Sequence, residues 1–219
     1  MEACALGLRL RLMADILILA AHPDLALSRV THAMLAAAKA AKLPQVQLVD
    51  LYRRYPDYAI DVEAEQRALA EARLVVLLHP LHWYSMPGLQ KLWIDEVLRF
   101  GWAYGPGGEA LRGKDLWLVS STGGTAESYS DTGHNAHPLE TYLLPYTQTA
   151  RYCGMRFLPP LILHAAHQVS DADVVRHARG FVQQLSNYPA WAGIEAPPRQ
   201  PEVPLDERPA LFSALDGPA

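Results

Sequence analysis

The chain has 219 residues, of which 50% are hydrophobic and 19% charged. That is enough for one domain with a substantial core, and it excludes disorder over most of the length. Nineteen Lys and Arg against 23 Asp and Glu leave a net charge of -4, a poor basis for nucleic-acid binding, which needs clustered positive charge. Cys4 and Cys153, the two cysteines, exclude a disulfide framework and a four-cysteine zinc site and point to a reducing, cytoplasmic setting.

No apolar run reaches the roughly 20 residues that cross a bilayer. Arg9 and Arg11 break the first apolar stretch, so residues 1–13 read as an extension rather than a signal peptide. Ile16 to Ala21 reads as a first strand, apolar on both faces as a central parallel strand must be. Ser28 looks like an N-cap for a helix to Lys42, with Val30, Met34, Leu35 and Ala38 on one stripe. Val46 to Asp50 makes a second strand, Asp61 caps a charged helix to Ala72, and Arg73 to His79 is a third strand ending at Pro80. Pro87 opens a helix carrying Leu89, Leu92, Trp93, Val97 and Leu98.

After a Gly-rich loop from Gly101 to Gly113, Leu116 to Ser120 is a fourth strand and Leu139 to Cys153 a helix that Pro145 should kink. Phe157 to Leu163 is a fifth strand, and Asp171 to Leu185 a last helix capped by Ser170 or Asp171. Short apolar runs alternating with helical periods predict an α/β fold, a doubly wound five-stranded parallel sheet with helices on both faces, over residues 14–188. Pro189, Pro197, Pro198, Pro201, Pro204, Pro209 and Pro218 mark residues 189–219 as a Pro-rich tail.

Ligands of such sheets bind beyond the carboxyl ends of the strands. Three loops fall on that edge. The loop from His22 through Ser28, Arg29, Val30 and Thr31 runs into a helix N-terminus, which suits a phosphate; alternatively Ser28 only caps the helix. No GxGxxG stands there, which disfavours a dinucleotide fingerprint. The loop of Leu81, His82, Trp83 and Tyr84 offers two rings, either a wall for a flat conjugated ligand or a plug for the core. The loop of Ser121, Thr122, Gly123 and Gly124 lets backbone N–H groups approach a ligand, or is simply a turn. Together the three describe a site for flavin mononucleotide.

The run from His79 to Pro87 (HPLHWYSMP), continuing to Lys91-Leu92-Trp93-Ile94-Asp95, resembles the flavodoxin-like NAD(P)H:quinone oxidoreductases, and within them the glutathione-regulated potassium-efflux ancillary proteins. Further matches are the Ala-His-Pro start, Tyr52 to Ile60, Gly101 to Gly105, Thr122-Gly123-Gly124 and Tyr152 to Met155; they span residues 14 to 186.

The resemblance implies strand order 2-1-3-4-5 and FMN in preference to FAD, with NAD(P)H and a quinone as substrates. His22 and Ser28 to Thr31 would hold the phosphate, Leu81 to Tyr84 the flavin ring, and Ser121 to Gly124 its pyrimidine edge. Thr31 departs from relatives, which often carry Asn. The resemblance also implies Tyr129 in hydride transfer and quinone protonation, with His134 or His137 as its partner, a neutral-pH acid or base. It implies a homodimer in which Trp102 and Tyr104 complete the partner's pocket. Alternatively, it implies a regulatory subunit docked on the cytoplasmic domain of a potassium-efflux transporter, at the cytoplasmic face of the inner membrane.

Other motifs carry little. The pairs His79/His82, His134/His137 and His164/His167 lack the partners of a zinc site. Gly108 to Lys114 mimics a P-loop, but Asp115 replaces Ser or Thr and a strand follows. Ser85 has no GxSxG elbow, and Cys153 reads as a packed helix residue.

Overall fold

The computed structural model describes residues 15–193; the expected extension and residues 194–219 lie outside the described residues. Five strands, β1 (Ile16–Ala20), β2 (Val46–Asp50), β3 (Leu74–Pro80), β4 (Asp115–Ser121) and β5 (Arg156–Leu163), form one parallel sheet in the order β2-β1-β3-β4-β5. Every residue of β1 and β4 is buried, which is why β1 and the Leu116–Val119 middle of β4 read as apolar runs. Pro159 and Pro160 are tolerated because β5 is an edge, where a missing N–H costs no ladder bond. The β4–β5 register slips between Trp117 and Val119.

Helices α1 (Val30–Ala41) and α6 (Asp171–Asn187) cover one face, setting Met34, Ala38, Val174, Ala178 and Phe181 against Ile16, Ile18, Val76 and Trp117. Ser170 closes a capping box with Asp173 at the start of α6. Helices α3 (Val62–Glu71), α4 (Gly88–Val97) and α5 (Leu139–Tyr152) cover the other face, packing Leu69, Trp93 and Tyr146 on Leu17, Leu19, Val75 and Leu77. Helix α5 runs through Pro145. The short helix α2 (Leu51–Arg54) is an addition to the predicted elements.

The domain also runs past the predicted boundary at residue 188. Asp115 accepts from Arg156 Nε and Nη2, each at 2.8 Å, and from the Tyr188 hydroxyl at 2.9 Å. The Trp191 ring lies 4.9 Å from Trp117 and its indole N–H donates to the Gln184 carbonyl at 2.7 Å. Trp191 and Ala192, early in the expected tail, therefore pack against the core.

Two buried polar groups hold neighbouring elements together. Glu65, fully buried on α3, accepts from Tyr55 Oη at 2.7 Å and Trp93 Nε1 at 2.9 Å and pairs with Arg54 at 3.2 Å. Removing one partner of such a network leaves the others unsatisfied. Glu65→Ala is expected to lower the unfolding free energy by about 3 kcal/mol, read from urea denaturation.

His79, also fully buried, stacks on Tyr146 with centroids 5.7 Å apart, and its Nδ1 lies 2.9 Å from the Pro80 carbonyl oxygen. Burial pushes its pKa down to about 4. The unfolded chain therefore binds the extra proton first as pH falls, and stability drops from about pH 6.5, the free imidazole value, toward pH 4. His79 alone accounts for a loss on the order of 3 kcal/mol across that window. His22, His164 and His177, also shifted down by burial, add in the same direction. His79→Leu should flatten the dependence measured by urea denaturation between pH 7 and 4.5.

Candidate active site

The strand ends align the chemistry. Ala20 lies opposite Asp50 and Leu78, His79 opposite Ser120, and Ser121 opposite both Pro80 and Leu163. Loops leaving β1, β3, β4 and β5 thus emerge side by side where the chain order reverses between β1 and β3. Backbone bonds then join neighbouring loops: Leu81 N–H donates to Ser121 O at 2.8 Å, and Ala166 N–H to Thr122 O at 2.9 Å. The His22 and His82 rings meet edge to face at 5.9 Å.

In the first loop Ser28 does cap, its Oγ accepting the Thr31 N–H at 3.1 Å. Thr31 is 2% exposed, so its hydroxyl is buried in the fold and its amide is already used. Arg29 departs further from expectation. Its guanidinium donates to the carbonyls of Ala166 and Val169 at 3.0 and 2.9 Å and pairs with Asp171 at 2.6 Å. That side chain binds the β5–α6 connection instead of awaiting an anion. The amides of Arg29 and Val30 open the first helical turn, where N–H groups lack intrahelical acceptors. His22 Nδ1 accepts the Asp24 N–H at 3.1 Å, so a ring proton belongs on Nε2. Burial, then the neighbouring His82, holds its pKa below the usual imidazole range.

The aromatic loop is a tight hairpin in which His82 and Ser85 exchange both backbone bonds, at 2.9 and 3.0 Å. Its two central residues, Trp83 (φ 48°) and Tyr84 (φ 63°), both sit in the left-handed region. That is the dihedral signature of a type I′ turn, where Asn-Gly is the usual choice. Bulky residues there are strained, each by about 1 kcal/mol or more. Trp83 gains nothing by burial, being 93% exposed; it does not plug the core. Tyr84 stacks on Tyr142 at 4.8 Å and its hydroxyl donates to Asn135 Oδ1 at 3.3 Å.

In the third loop Ser121 and Thr122 are buried and Gly123 is exposed. A Cβ on Gly124 would stand 2.5 Å from Ser128 Oγ, so any other residue there must displace the Ser128 side chain. Tyr129 packs edge to face on Tyr142 at 5.9 Å, and burial raises its phenol above the ordinary range while the Thr122 hydroxyl pulls it back. Of the two histidines expected beside Tyr129, His137 lies 6.2 Å from the Tyr142 ring and His134 is exposed. Tyr142, Asn135 and His164 were missed in the sequence. The first two showed only as ordinary residues of a helix and a loop, whereas His164 stood in a His-x-x-His pair weighed for metal. Trp102 and Tyr104 pack against their own core, Tyr104 at 5.0 Å from Tyr152. Among the described residues no three His, Cys, Asp or Glu converge to hold a metal, and no helix is long and apolar enough to cross a membrane.

A parallel sheet of this order with such loops at its switch point defines a flavodoxin-like protein. The chain belongs to that family, whose model, described as a flavodoxin-like fold, matches residues 14–185. It is similar to the glutathione-regulated potassium-efflux system ancillary protein KefF of Citrobacter koseri, with 46% identity over 172 residues, 78% of this chain and 94% of the relative. Among solved structures it resembles general stress protein 14 of Treponema denticola in complex with FMN (TM-score 0.74, 34% identity, 78% of this chain and 98% of that one). It also resembles an NADPH-quinone reductase of P. pentosaceus (TM-score 0.69, 29% identity, 77% and 96%).

The strain at the aromatic turn is open to test. Trp83→Asn places a residue that tolerates φ near +50° and sacrifices no buried surface, so the ligand-free protein should gain about 1 kcal/mol. An unchanged or lower urea midpoint would mean the turn is not strained.

Proposed function

We propose that the protein is an FMN-dependent oxidoreductase that passes hydride from NAD(P)H to a quinone. The observation that carries this reading is the meeting of three unlike surfaces at one sheet edge: a helix N-terminus, a rigid aromatic turn and a glycine loop joined to it by the Leu81–Ser121 backbone bond. FMN has three matching parts. The amides of Arg29 and Val30 with His22 Nε2 suit the phosphate, Leu81 to Tyr84 the flat ring, and Ser121 to Gly124 its polar edge. FMN, when bound, supplies the two-electron chemistry, while the protein orients and shields the reactants. Tyr129, at the end of the glycine loop, holds a phenolic proton for the acceptor oxygen. The T. denticola relative, solved with FMN, and the P. pentosaceus NADPH-quinone reductase support the cofactor and the activity.

Anaerobic mixing of the FMN-loaded protein with NADH or NADPH should bleach the visible flavin bands, and a quinone should restore them. Tyr129→Phe should slow the restoration roughly ten- to a hundredfold while bleaching proceeds; equal rates would remove Tyr129 from the mechanism.

The identity with the C. koseri ancillary protein favours a second reading, a regulator docked on a potassium-efflux transporter. Flavin that neither nucleotide bleaches, together with binding of the purified transporter cytoplasmic domain, would favour it over the enzyme.

A further inference from the structure

We infer that the acid–base histidine of this site is His164, coupled to Tyr129 through the Thr122 hydroxyl, and that the three form the path along which a proton reaches the reduced quinone. The inference rests on the oxidoreductase reading above and deepens it.

His164 directly follows the last residue of β5, and Ser121 pairs with that residue, Leu163, so the histidine is delivered beside Thr122 by strand register. Its Nδ1 lies 3.0 Å from Thr122 Oγ1. Its ring centroid is 5.8 Å from that of Tyr129. The connection beyond is locked: Ala165 N–H donates to Gly124 O at 2.8 Å and Ala166 N–H to Thr122 O at 2.9 Å. Ala165 takes φ 52°, a left-handed conformation that a residue with a Cβ adopts at a cost. The chain thus bends sharply just where His164 is presented. His167 follows on the same connection and flanks Gly123, its ring 3.8 Å from where a Cβ would stand. The other two histidines are less well placed: both His134 and His137 are exposed, and the His137 ring stands 6.2 Å from Tyr142.

Thr122 is 1% exposed, and its hydroxyl has a single proton to direct. It donates either to Gly124 O, 2.8 Å away, in which case His164 Nδ1–H donates to it, or to His164 Nδ1 itself. A hydroxyl with a donor on one side and a choice of acceptor on the other can take a proton and give one in the same event. When His164 Nδ1–H donates to it, the Thr122 hydroxyl can turn its own proton from Gly124 O to the Tyr129 phenol, whose anion a Thr122 hydrogen bond favours.

The proton balance follows. A quinone that has received hydride is a hydroquinone monoanion. The Tyr129 O–H bond breaks and a new O–H bond forms on the product oxygen, leaving a phenolate. Thr122 protonates that phenolate and takes the Nδ1 proton of the His164 imidazolium, which solvent then restores. The sum is NAD(P)H plus quinone plus one solvent proton giving NAD(P)+ and hydroquinone. Facing His164 are Thr122, Glu127 and Tyr129, all from the loop that follows β4, with Glu140 of α5 contributing charge. Burial lowers the His164 pKa and the two carboxylates oppose that shift.

Two measurements test the path. Histidine 15N NMR titration of the FMN-free protein should show the His164 pKa and tautomer changed by Thr122→Val; an unchanged His164 would overturn the coupling whether or not flavin binds. In the FMN-loaded protein, quinone-driven reoxidation, expressed per bound flavin, should slow roughly tenfold or more in His164→Gln and lose its dependence on pH through the His164 titration. The double variant His164→Gln/Tyr129→Phe should be no slower than Tyr129→Phe alone, because members of one path are not additive. Independent, multiplying losses, or a normal rate and pH profile in His164→Gln, would contradict the proposal. A wild-type protein that holds no flavin would instead sink the oxidoreductase reading, leaving the NMR result to stand on its own.

Discussion

The central strands of this sheet are buried on both faces, and that constraint decides where chemistry is possible. Residues Ile16 to Ala20 are at most 1% exposed, and Leu74 to Leu78 at most 2%. With α1 and α6 on one side and α3, α4 and α5 on the other, no polar group can be placed along these strands without losing its hydration. Polar function is confined to strand ends. Among those, the carboxyl edge offers a gap, because the chain leaves β1 toward β2 on one side and later returns as β3 on the other. His22, His82 and His164, the aromatic turn and the glycine loop all lie on this edge. Glu65 and His79 are among the polar groups that the interior does admit, and each is held by hydrogen bonds or by loss of its charge.

Stability is spent locally at this edge. Trp83 and Tyr84 occupy the two left-handed positions of one turn and Ala165 a third nearby. None of these residues suits its conformation, and Trp83 recovers nothing through packing. Strain of this sort persists only where surrounding contacts over-determine the backbone. Here the His82–Ser85 bonds and the links of Ala165 and Ala166 to the glycine loop do so. The result is a set of loops whose shape is fixed before any ligand arrives, which reduces the ordering cost of binding one.

Much of this was legible in the sequence, for physical reasons that differ by element. Val46 to Asp50 is legible at its observed bounds because Pro44 and a short β-rich run delimit it, Asp61 is a recognisable cap, and of Ser170 and Asp171 it is Ser170 that caps α6. The four-residue α2 is not legible, since one turn has no periodicity to detect. Arg29 shows the limit of local reading. Its position at a helix start suggested an anion, but its actual partners are two carbonyls and a carboxylate some 140 residues away, as the separations of 137, 140 and 142 show. His164 was hidden likewise: nothing near it in sequence announces Thr122 or Tyr129, which only the β4–β5 register brings together. The Pro-rich character of the chain beyond Tyr188 concealed Trp191, whose ring completes the core beside Trp117.

The account depends most on these loops forming one flavin site. Titrating free FMN with the protein and following flavin fluorescence tests that directly. Saturable quenching at one FMN per chain is the predicted result, weakened by Gly124→Ala, whose Cβ would displace the Ser128 side chain. Fluorescence that stays at its free-FMN value across a molar excess of protein would contradict it.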